Sequence, residues 1–396
     1  MDEQKLVPKL RFPGFTDPWE QRKLGEVFDE RNEKGEQGEL LSVTIGAGVV
    51  RTEDLERAVN TSDDRYNYKV VKKGDLIYNT MRMWQGACGS SLYTGIVSPA
   101  YTVLVPLAGN SSKFFAHYFK RKDLLYLFKR YSQGLTSDTW NLKFNVLKEI
   151  KICVPLIEEQ YKIADFLEAY DSNLTLHQRK LEHLKLKKKS LLQKLFPREG
   201  ELYPELRFPG FTDPWEQRRL GEISTYLQNN TLSRDELNYK VPNIQNIHYG
   251  DILIKFDEVV DGSSTDIPFI NKFLDLSKYN KSLLRDGDVV LADTAEDGTV
   301  GKAIELQNVK PSHILAGLHT IPCRPLIAFG KGYLGNFFNS ESYRLQLRPL
   351  IQGIKVSSIS KNLLKNTIVK YPQDLLEQKQ IGNVFYKITM LITLHQ

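Results

Sequence analysis

The sequence lacks the features of secreted, membrane and disulfide-bonded proteins. Its three cysteines, Cys88, Cys153 and Cys323, form no Cys-x-x-Cys pair, and an odd number of separated thiols is typical of a reducing compartment. No apolar run approaches the length of a bilayer span, and the N-terminus MDEQKLVPKL has no apolar signal core. With 41% hydrophobic and 26% charged residues, we expect a cytoplasmic globular protein with no membrane partner.

Motifs for common catalytic chemistry are also missing. No Asn/Asp-Pro-Pro-aromatic segment of a nucleic-acid methyltransferase is found. The Gly46-Ala47-Gly48 run lacks the third glycine of a dinucleotide loop, and the 296–302 stretch fails the spacing of a phosphate loop. The seven histidines show no metal-ligand spacing. We therefore expect no catalytic residues, no metal site and no cofactor on this chain, which favours a binding protein over an enzyme.

The net charge of +6 comes from one segment. Residues 179–198 contain eight basic residues and one acidic residue, a net of +7, so the remainder sums to −1. The run KLKKK at 185–189 lies in this segment. It could contact DNA phosphates or an acidic protein surface, or it could be an ordinary solvated helix face.

A near-perfect internal repeat organises the chain. LRFPGFTDPWEQR occurs at 10–22 and again at 206–218, an offset of 196. A second pair of matching segments, 159–178 and 377–396, has an offset of 218. Matching ends around dissimilar middles predict a duplicated scaffold that holds two modules of separate specificity. Phe12, Phe15 and Trp19 are predicted to pin the first repeat to an apolar surface.

Each module is followed by a predicted helix with coiled-coil spacing. The first spans about 158–195, or about 57 Å, and the second spans 377–396, or about 30 Å. Apolar residues at steps of three and four predict a seam between the two helices. The predicted seam consists of Ile163, Leu167, Tyr170, Leu174, His177, Leu181, Ile381, Phe385, Ile388, Ile392 and His395.

The predicted fold class is α/β: two mixed α+β domains separated by two long antiparallel coiled-coil helices, with pseudo-two-fold internal symmetry. Short β-like runs bounded by Gly, Pro and Asp alternate with helical stretches at 113–131 and 332–347. The predicted boundaries are 1–25 for the first repeat segment, 26–155 for the first domain, 156–197 for the central helix, 198–221 for the second repeat segment, 222–372 for the second domain and 373–396 for the short C-terminal helix.

Several segments occur in the same order in both halves. They are the duplicated FPGF, DPWEQ and LGE, then GDLI (74–77), NTMRMWQGA (79–87), GIVSPAY (95–101) and QG (133–134), with GDVV (287–290), GLHTIP (317–322) and LEQ (376–378) in the second half. By this series the chain resembles the specificity (S) subunit of type I restriction–modification systems over essentially its whole length.

The resemblance implies a non-catalytic subunit with two target-recognition domains, each recognising one half of a split double-stranded DNA site. The helices would set the gap and dock two modification (M) subunits, which carry S-adenosylmethionine and methylate adenine. Restriction (R) subunits would add cleavage driven by ATP and Mg. A paralogue that binds M subunits without recognising DNA remains an alternative, because the C-terminal helix is about 18 residues shorter than its counterpart.

Base discrimination needs polar side chains that reach the edges of the bases. We place the candidates in polar loops flanked by glycine, although each could be an ordinary solvated loop residue. They are Arg82, Gln85, Thr136, Ser137, Thr139 and Lys143 in the first domain, and Gln245, Asn246, Thr294, Glu296, Thr299, Lys302, Lys355, Ser357 and Ser358 in the second. Trp84 and Trp140 are predicted to be packing anchors rather than base-stacking residues.

Overall fold

A computed structural model describes residues 7–55, 65–240, 244–271, 276–309, 314–353 and 355–396. The chain divides into two compact units, Met1–Thr175 and Leu176–Gln396. The longest helix crosses this division, so its two halves belong to different units.

The first unit is built on short antiparallel strands. They are β1 (Glu20–Lys23), β2 (Phe28–Glu30), β3 (Leu41–Thr44), β4 (Gly48–Arg51), β5 (Lys69–Val71), β6 (Leu76–Asn79), β7 (Cys88–Ser90), β8 (Gly95–Val97), β9 (Tyr101–Pro106) and β10 (Lys151–Val154). The central sheet has the order β2-β9-β6-β7, and β3-β4, β5-β8 and β1-β10 form pairs. Strand β6 is buried at Leu76, Ile77 and Tyr78, which places it at the centre of the core.

The helices of the first unit are α1 (Ser112–Tyr118), α2 (Lys122–Tyr131), α3 (Phe144–Leu147) and α4 (Ile157–Lys194). The single helix predicted over 113–131 is therefore two helices. Arg121 is extended at φ −66° and ψ 141°, and the break lets α1 pack on β7 while α2 packs on the Met83–Gln85 turn.

The second unit has a larger set of strands. They are β11 (Glu216–Arg219), β12 (Ser224–Tyr226), β13 (Leu237–Asn238), β14 (Gln245–Ile247), β15 (Val259–Asp261), β16 (Phe269–Ile270), β17 (Val289–Ala292), β18 (Thr294–Ala295), β19 (Ala303–Gln307), β20 (Ile314–Ala316), β21 (Thr320–Pro325), β22 (Ser357–Ser358) and β23 (Ile368–Tyr371). The sheets are β12-β21-β17-β19-β15, β13-β16-β14-β20, β11-β23 and β18-β22. The β14–β20 and β15–β19 pairs are parallel and the others antiparallel.

The helices that lie wholly in the second unit are α5 (Leu220–Ile223), α6 (Tyr249–Ile254), α7 (Tyr333–Asn339), α8 (Glu341–Leu347), α9 (Lys361–Leu364) and α10 (Leu375–His395). The stretch predicted as one helix over 332–347 is again two. Ser340 separates them, because its hydroxyl accepts from the Tyr343 N–H and caps α8.

The repeated segments perform the same structural task in both units. Strand β1 pairs with β10, and β11 pairs with β23, each over four residues. Trp19 packs beside Tyr118 in the first unit, and Trp215 packs beside Phe196 and Tyr333 in the second. The predicted packing role of the repeated aromatic residues agrees with these contacts.

A buried carboxylate ties each repeated segment to the helix that follows. Arg11 donates two hydrogen bonds of 2.8 Å to Glu159, and Arg207 donates to Glu377 at 2.8 and 2.9 Å. Both glutamate side chains are 1% exposed. A bidentate Arg–carboxylate pair is among the stronger polar contacts in proteins, which accounts for the repetition of both partners.

The glutamine after each of these glutamates closes the start of the helix. Gln160 accepts from the Ser111 N–H and donates to the Pro155 carbonyl. Gln378 accepts from the Gly330 N–H and donates to the Pro372 carbonyl. The repeated Glu-Gln pair therefore holds the globular part of each unit to the start of its helix, and we call these contacts the fastening between module and helix.

Within the second unit, α10 packs on the second half of α4. The Nδ1 atoms of His177 and His395 are 2.9 Å apart. The ring of Phe196, which follows the end of α4, is stacked on that of Phe385 with centroids 6.1 Å apart. Ascending positions along α4 thus meet descending positions along α10, so these two segments run antiparallel.

The predicted seam residues differ in burial. On α10, Ile381, Phe385, Ile388 and Ile392 are buried, and the last two share a cluster with Leu184 and Leu181 of α4. On the first half of α4, Tyr170 and Leu174 are 61% and 48% exposed, while Ile163 and Leu167 are half-buried.

The predicted mixture of helices and strands is confirmed, and α4 and α10 are long helices with bounds within two residues of those predicted. The assignment of two recognition domains to the boundaries given above stays a prediction. Across the described ranges, no helix combines the length and the apolar character that a membrane crossing requires.

Candidate functional site

The candidate loops of the first unit surround the end of β6. The Thr80 N–H donates to the Ala100 carbonyl at 3.0 Å, and the Leu142 N–H donates to the Thr80 carbonyl at 2.9 Å. Thr80, at the end of β6, is thus bonded on one side to the turn before β9 and on the other side to the residue that follows the 133–141 loop. Candidates that lie more than fifty residues apart in sequence are brought to one place.

The second unit repeats this backbone arrangement at the end of β17. The Asp293 N–H donates to the His319 carbonyl at 3.1 Å, and the Ile359 N–H donates to the Asp293 carbonyl at 2.9 Å. Asp293 therefore takes the place of Thr80, and His319 takes that of Ala100. The scaffold is duplicated while the side chains that it presents are different.

Both units also use the same glycine-dependent loop. Isolated bridges join Gln133 to Asn141 and Gln352 to Ser358. Each glutamine is followed by a glycine with positive φ, 149° at Gly134 and 111° at Gly353. A Cβ on either glycine would collide with a carbonyl oxygen, that of Thr139 in the first loop and that of Val356 in the second. These loops therefore require glycine for their shape.

Two predicted contacts of the first unit lie side by side. Arg82 is exposed, and its Nη1 donates to Gln85 Oε1 at 3.2 Å. Trp84 lies in the same turn and packs edge-to-face with Trp140, with centroids 5.3 Å apart. Lys129 Nζ lies 5.2 Å from the Trp140 ring centre. The tryptophans join the two candidate segments, which agrees with their predicted packing role.

The remaining candidates of the first unit are solvent-facing. Thr136, Ser137 and Thr139 are exposed, and the Thr139 hydroxyl donates to the Thr136 carbonyl at 3.0 Å. Lys143 is also exposed and lines a cleft of about 300 Å³ together with Glu30. Hydroxyl and ammonium groups at this edge could contact phosphates or bases.

In the second unit, a polar cluster occupies the equivalent strand end. The Thr294 hydroxyl donates to Asp293 Oδ1 at 2.7 Å, and His319 Nδ1 lies 3.3 Å from the same oxygen. Thr294 pairs with Ser358 across β18 and β22, and Ala295 pairs with the half-buried Ser357. The structure thus brings together three of the predicted residues, while Lys355 is exposed on the same loop.

Asp293 and His319 were not among the sequence candidates. The usable signal was the alignment of the two strand ends, since GDLIYNT (74–80) in the first half corresponds to GDVVLAD (287–293) in the second and sets Thr80 opposite Asp293. His319 also has a φ of 53°, and Asn308 is the other non-glycine residue with positive φ among those described. Such conformations cost energy and cluster at functional sites.

The 296–302 loop is held internally at its C-terminal end. Lys302 Nζ donates to the carbonyls of Leu253 and Phe256 at 3.2 and 3.0 Å. Burial lowers the pKa of Lys302 from its ordinary value. Lys302 is thus a structural residue in this conformation, whereas Glu296 is exposed and Thr299 half-buried.

Gln245 and Asn246 do not belong to the surface. Both lie on β14, with exposures of 8% and 0%. Asn246 Oδ1 accepts from Asn230 Nδ2 at 2.6 Å, and Gln245 Nε2 donates to the Ser264 carbonyl at 2.9 Å. This burial disagrees with the predicted DNA contacts, because neither side chain is open to solvent and their hydrogen-bond partners Asn230 and Ser264 lie in neighbouring loops.

The thiol of Cys88 is buried in the first unit. Burial raises the pKa of Cys88 to about 12, so its thiol stays protonated and is a poor nucleophile. Within the described ranges, no three His, Cys, Asp or Glu side chains come together as a metal site would need.

Comparison with known proteins finds a family model that matches the first part of the chain. Residues 16–186 match the model described as "Type I restriction modification DNA specificity domain". The chain is 24% identical over 340 residues to the type I restriction enzyme MjaVIII specificity subunit of Methanocaldococcus jannaschii. The aligned residues cover 82% of this chain and 74% of that protein.

Two solved structures are similar over nearly the whole chain. The S subunit of a type I restriction-modification system from M. genitalium has a TM-score of 0.51 and 13% identity, over 98% of this chain and 94% of that one. The HsdS subunit from Thermoanaerobacter tengcongensis has a TM-score of 0.45 and 18% identity, over 98% and 92%. The similarity to the M. genitalium subunit is a similarity of fold.

Proposed function

We propose, from the premise that this chain belongs through residues 16–186 to the type I restriction modification DNA specificity family, that it recognises a split target in double-stranded DNA. Each unit recognises one half of the target with the loops at the end of its central strand. The resemblance predicted from the repeated motifs is confirmed by the family match, and the finer assignments are our proposal.

The duplicated strand end carries this proposal. The same pair of backbone hydrogen bonds holds Thr80 in the first unit and Asp293 in the second, but the surrounding side chains differ. A common scaffold with exchanged polar groups is what two recognition sites for different base sequences require, because base edges are distinguished by their patterns of donors and acceptors.

The charge distribution supports sequence-dependent binding. Residues 26–150 contain 17 basic and 15 acidic residues, and residues 222–371 contain 17 and 16. A strongly basic face would bind any DNA through its phosphates. Near-neutral modules leave room for the base contacts to decide which sequence is bound.

The proposed partners follow from the same family. Helices α4 and α10 set the gap between half-sites and dock two modification subunits, which carry S-adenosylmethionine and methylate adenine. Restriction subunits supply cleavage driven by ATP and Mg. In this proposal the chain is cytoplasmic and contributes recognition and assembly, and no step of catalysis.

A second candidate function is a paralogue that binds modification subunits without recognising DNA. The observation that favours it is the exposure of Tyr170 and Leu174 on α4, because their repeat equivalents on α10 are buried in the helix pair.

The deciding experiment is co-expression with a modification subunit from the same genome in a host without adenine methylation, followed by sequencing of modified adenines. A split motif with a fixed gap, methylated on both strands, is the expected result. Methylation of one half-site alone, or none despite a stable complex, contradicts the proposal and favours the paralogue.

A further inference from the structure

The strand ends of the two units differ most in their hydrogen-bonding capacity. Where the first unit has Thr80 and Ala100, the second has Asp293 and His319, held by the same backbone bond. Ala100 offers no side-chain donor or acceptor, whereas His319 and Asp293 together offer several. A difference of this kind at a shared position indicates a role that belongs to the second unit alone.

The three polar side chains converge on one atom. The Thr294 hydroxyl donates to Asp293 Oδ1, and His319 Nδ1 lies 3.3 Å from that oxygen and 3.3 Å from Thr294 Oγ1. The imidazole is 46% exposed and the carboxylate 26% exposed. The ring of Tyr249 meets His319 edge-on, with centroids 5.2 Å apart, which supports the imidazole from the side.

This arrangement is unsuited to nucleophilic catalysis. A hydroxyl nucleophile needs an imidazole as its base, and the carboxylate then orients the other ring nitrogen. Here the Thr294 hydroxyl donates to the carboxylate, and the imidazole approaches the same oxygen. The hydroxyl is therefore not activated, and the cluster is built to fix the orientation of the imidazole.

The fixed orientation determines which group His319 offers. A neutral imidazole that donates from Nδ1 to a carboxylate keeps its lone pair on Nε2. The exposed edge of the cluster then presents an Nε2 acceptor beside a carboxylate that has spare acceptor capacity. Two neighbouring acceptors complement an amino group and repel the acceptor-rich edge of guanine.

We propose that Asp293 and His319 specify one base pair in the half-site of the second unit, by accepting a hydrogen bond from the exocyclic amino group of cytosine or adenine in the major groove. Thr294 is a positioning residue for the carboxylate. This inference rests on the proposed function and assigns the chemistry of one site within it.

The positive φ of His319 allows its side chain to be replaced without a change in the backbone conformation. Glycine tolerates the φ of 53° without strain, so His319→Gly removes the side chain and keeps the turn. Asparagine tolerates this conformation as well and keeps one acceptor, which makes His319→Asn the conservative variant. Asn308→Gly is the matched control, because Asn308 also has positive φ in the same unit.

The test selects binding sequences for the full chain, with its modification subunit, from a library of random double-stranded DNA. We expect wild type to require one particular base pair at one position of one half-site. His319→Gly and Asp293→Asn lose about 5- to 150-fold of this preference, the range for one good base contact. His319→Asn retains part of it, and Asn308→Gly retains all of it.

The possible outcomes distinguish a failure of this inference from a failure of the proposed function. A wild-type motif with two halves that His319→Gly and Asp293→Asn leave unchanged overturns the role of the pair and keeps DNA recognition. Each base pair carries the amino group on only one strand, so the target is also made with a base that lacks it, purine in place of adenine or pyrimidin-2-one in place of cytosine. A loss of affinity on this replacement that is equal in wild type and in His319→Gly overturns the assigned chemistry. Absence of any enriched sequence with wild type is the failure of the proposed function itself.

Discussion

His177 and His395 occupy the same position in the two copies of the repeat and contact each other, with their Nδ1 atoms 2.9 Å apart. The offset between them is the 218 residues that relate the two helices in sequence. A contact between equivalent residues is the mark of a two-fold related pair. The contact also needs one ring to donate and the other to accept, so it depends on the protonation state.

The histidine pair predicts a pH-dependent helix end. The pKa of His395 is lowered from its ordinary 6.5, first by burial and then by Lys180 and His177. The unfolded chain takes up this proton first, so the pairing is favoured above about pH 6.5 and weakens as the pH falls below that value. Amide exchange at the end of α10 should therefore be faster at about pH 5.5 than at about pH 7.5, after correction for intrinsic rates.

His395→Gln is expected to remove this difference between the two pH values. His183 is an exposed histidine on α4, and His183→Gln serves as the control that keeps the difference. An unchanged pH dependence in His395→Gln contradicts a role for the pair.

A second prediction concerns the fastening between module and helix. Removal of Arg207 leaves Glu377, at 1% exposure, without its bidentate partner. Loss of one partner of such a buried pair costs about 3–5 kcal/mol. Arg207→Ala should therefore lower the free energy of unfolding of the second unit by that order, measured by urea denaturation.

The matched control for Arg207 is Arg218, which pairs with Glu222 where both side chains are about half exposed. Exposed pairs contribute at most about 1 kcal/mol, so Arg218→Ala should change the free energy of unfolding by less than Arg207→Ala. Adding Glu377→Gln to Arg207→Ala should recover part of the loss. Equal costs for the two arginine variants would show that the buried pair is not a fastening.

The sequence predicted most of what the repeat encodes. The 3.5-residue spacing gave α4 and α10 to within two residues, because apolar periodicity is a local property of the chain. The splits between α1 and α2 and between α7 and α8 were missed. In the first, neither proline nor glycine marks the break at Arg121, and the two helices turn to pack on different partners, so tertiary contacts decide.

The sequence predicted only some of the candidate site residues, again because tertiary contacts decide which polar side chains reach the surface. Arg82 and Thr136 lie in loops that glycine and polar residues mark. Asn246 is equally polar, yet it lies in a strand and bonds to Asn230, a residue 16 positions away. His319 was missed because its importance comes from the backbone bond to Asp293, which a polarity pattern does not contain.

A third prediction compares equivalent positions on the two long helices. Ile392 is 9% exposed and its counterpart Leu174 is 48% exposed. Ile392→Ala should lower the free energy of unfolding by about 2 kcal/mol or more, through reduced burial and the cavity left behind. Leu174→Ala should change it by no more than about 0.5 kcal/mol. Equal losses, measured by urea denaturation, would mean that the two halves of the seam are packed alike.

A fourth prediction separates the lysines of α4 by their surroundings. Lys185, Lys187 and Lys189 are exposed, whereas Lys188 Nζ lies 2.6 Å from Glu258 with its side chain 12% exposed. The run therefore contains one structural lysine and three that are open to a polyanion. We expect the three exposed lysines to contact phosphates, because they belong to the only strongly basic segment of the sequence.

Replacing the three exposed lysines with glutamine should weaken binding equally on all DNA sequences. The slope of log affinity against log salt should become shallower by about 0.9 for each phosphate that the variant no longer neutralises. Lys188→Gln is the matched control, since it should lower the stability of the second unit and leave the salt slope unchanged. The measurement is a salt titration of affinity for the selected target and for a scrambled duplex. An unaltered slope in the triple variant assigns these lysines to a protein surface or to solvent, because released counterions are the physical signature of phosphate binding.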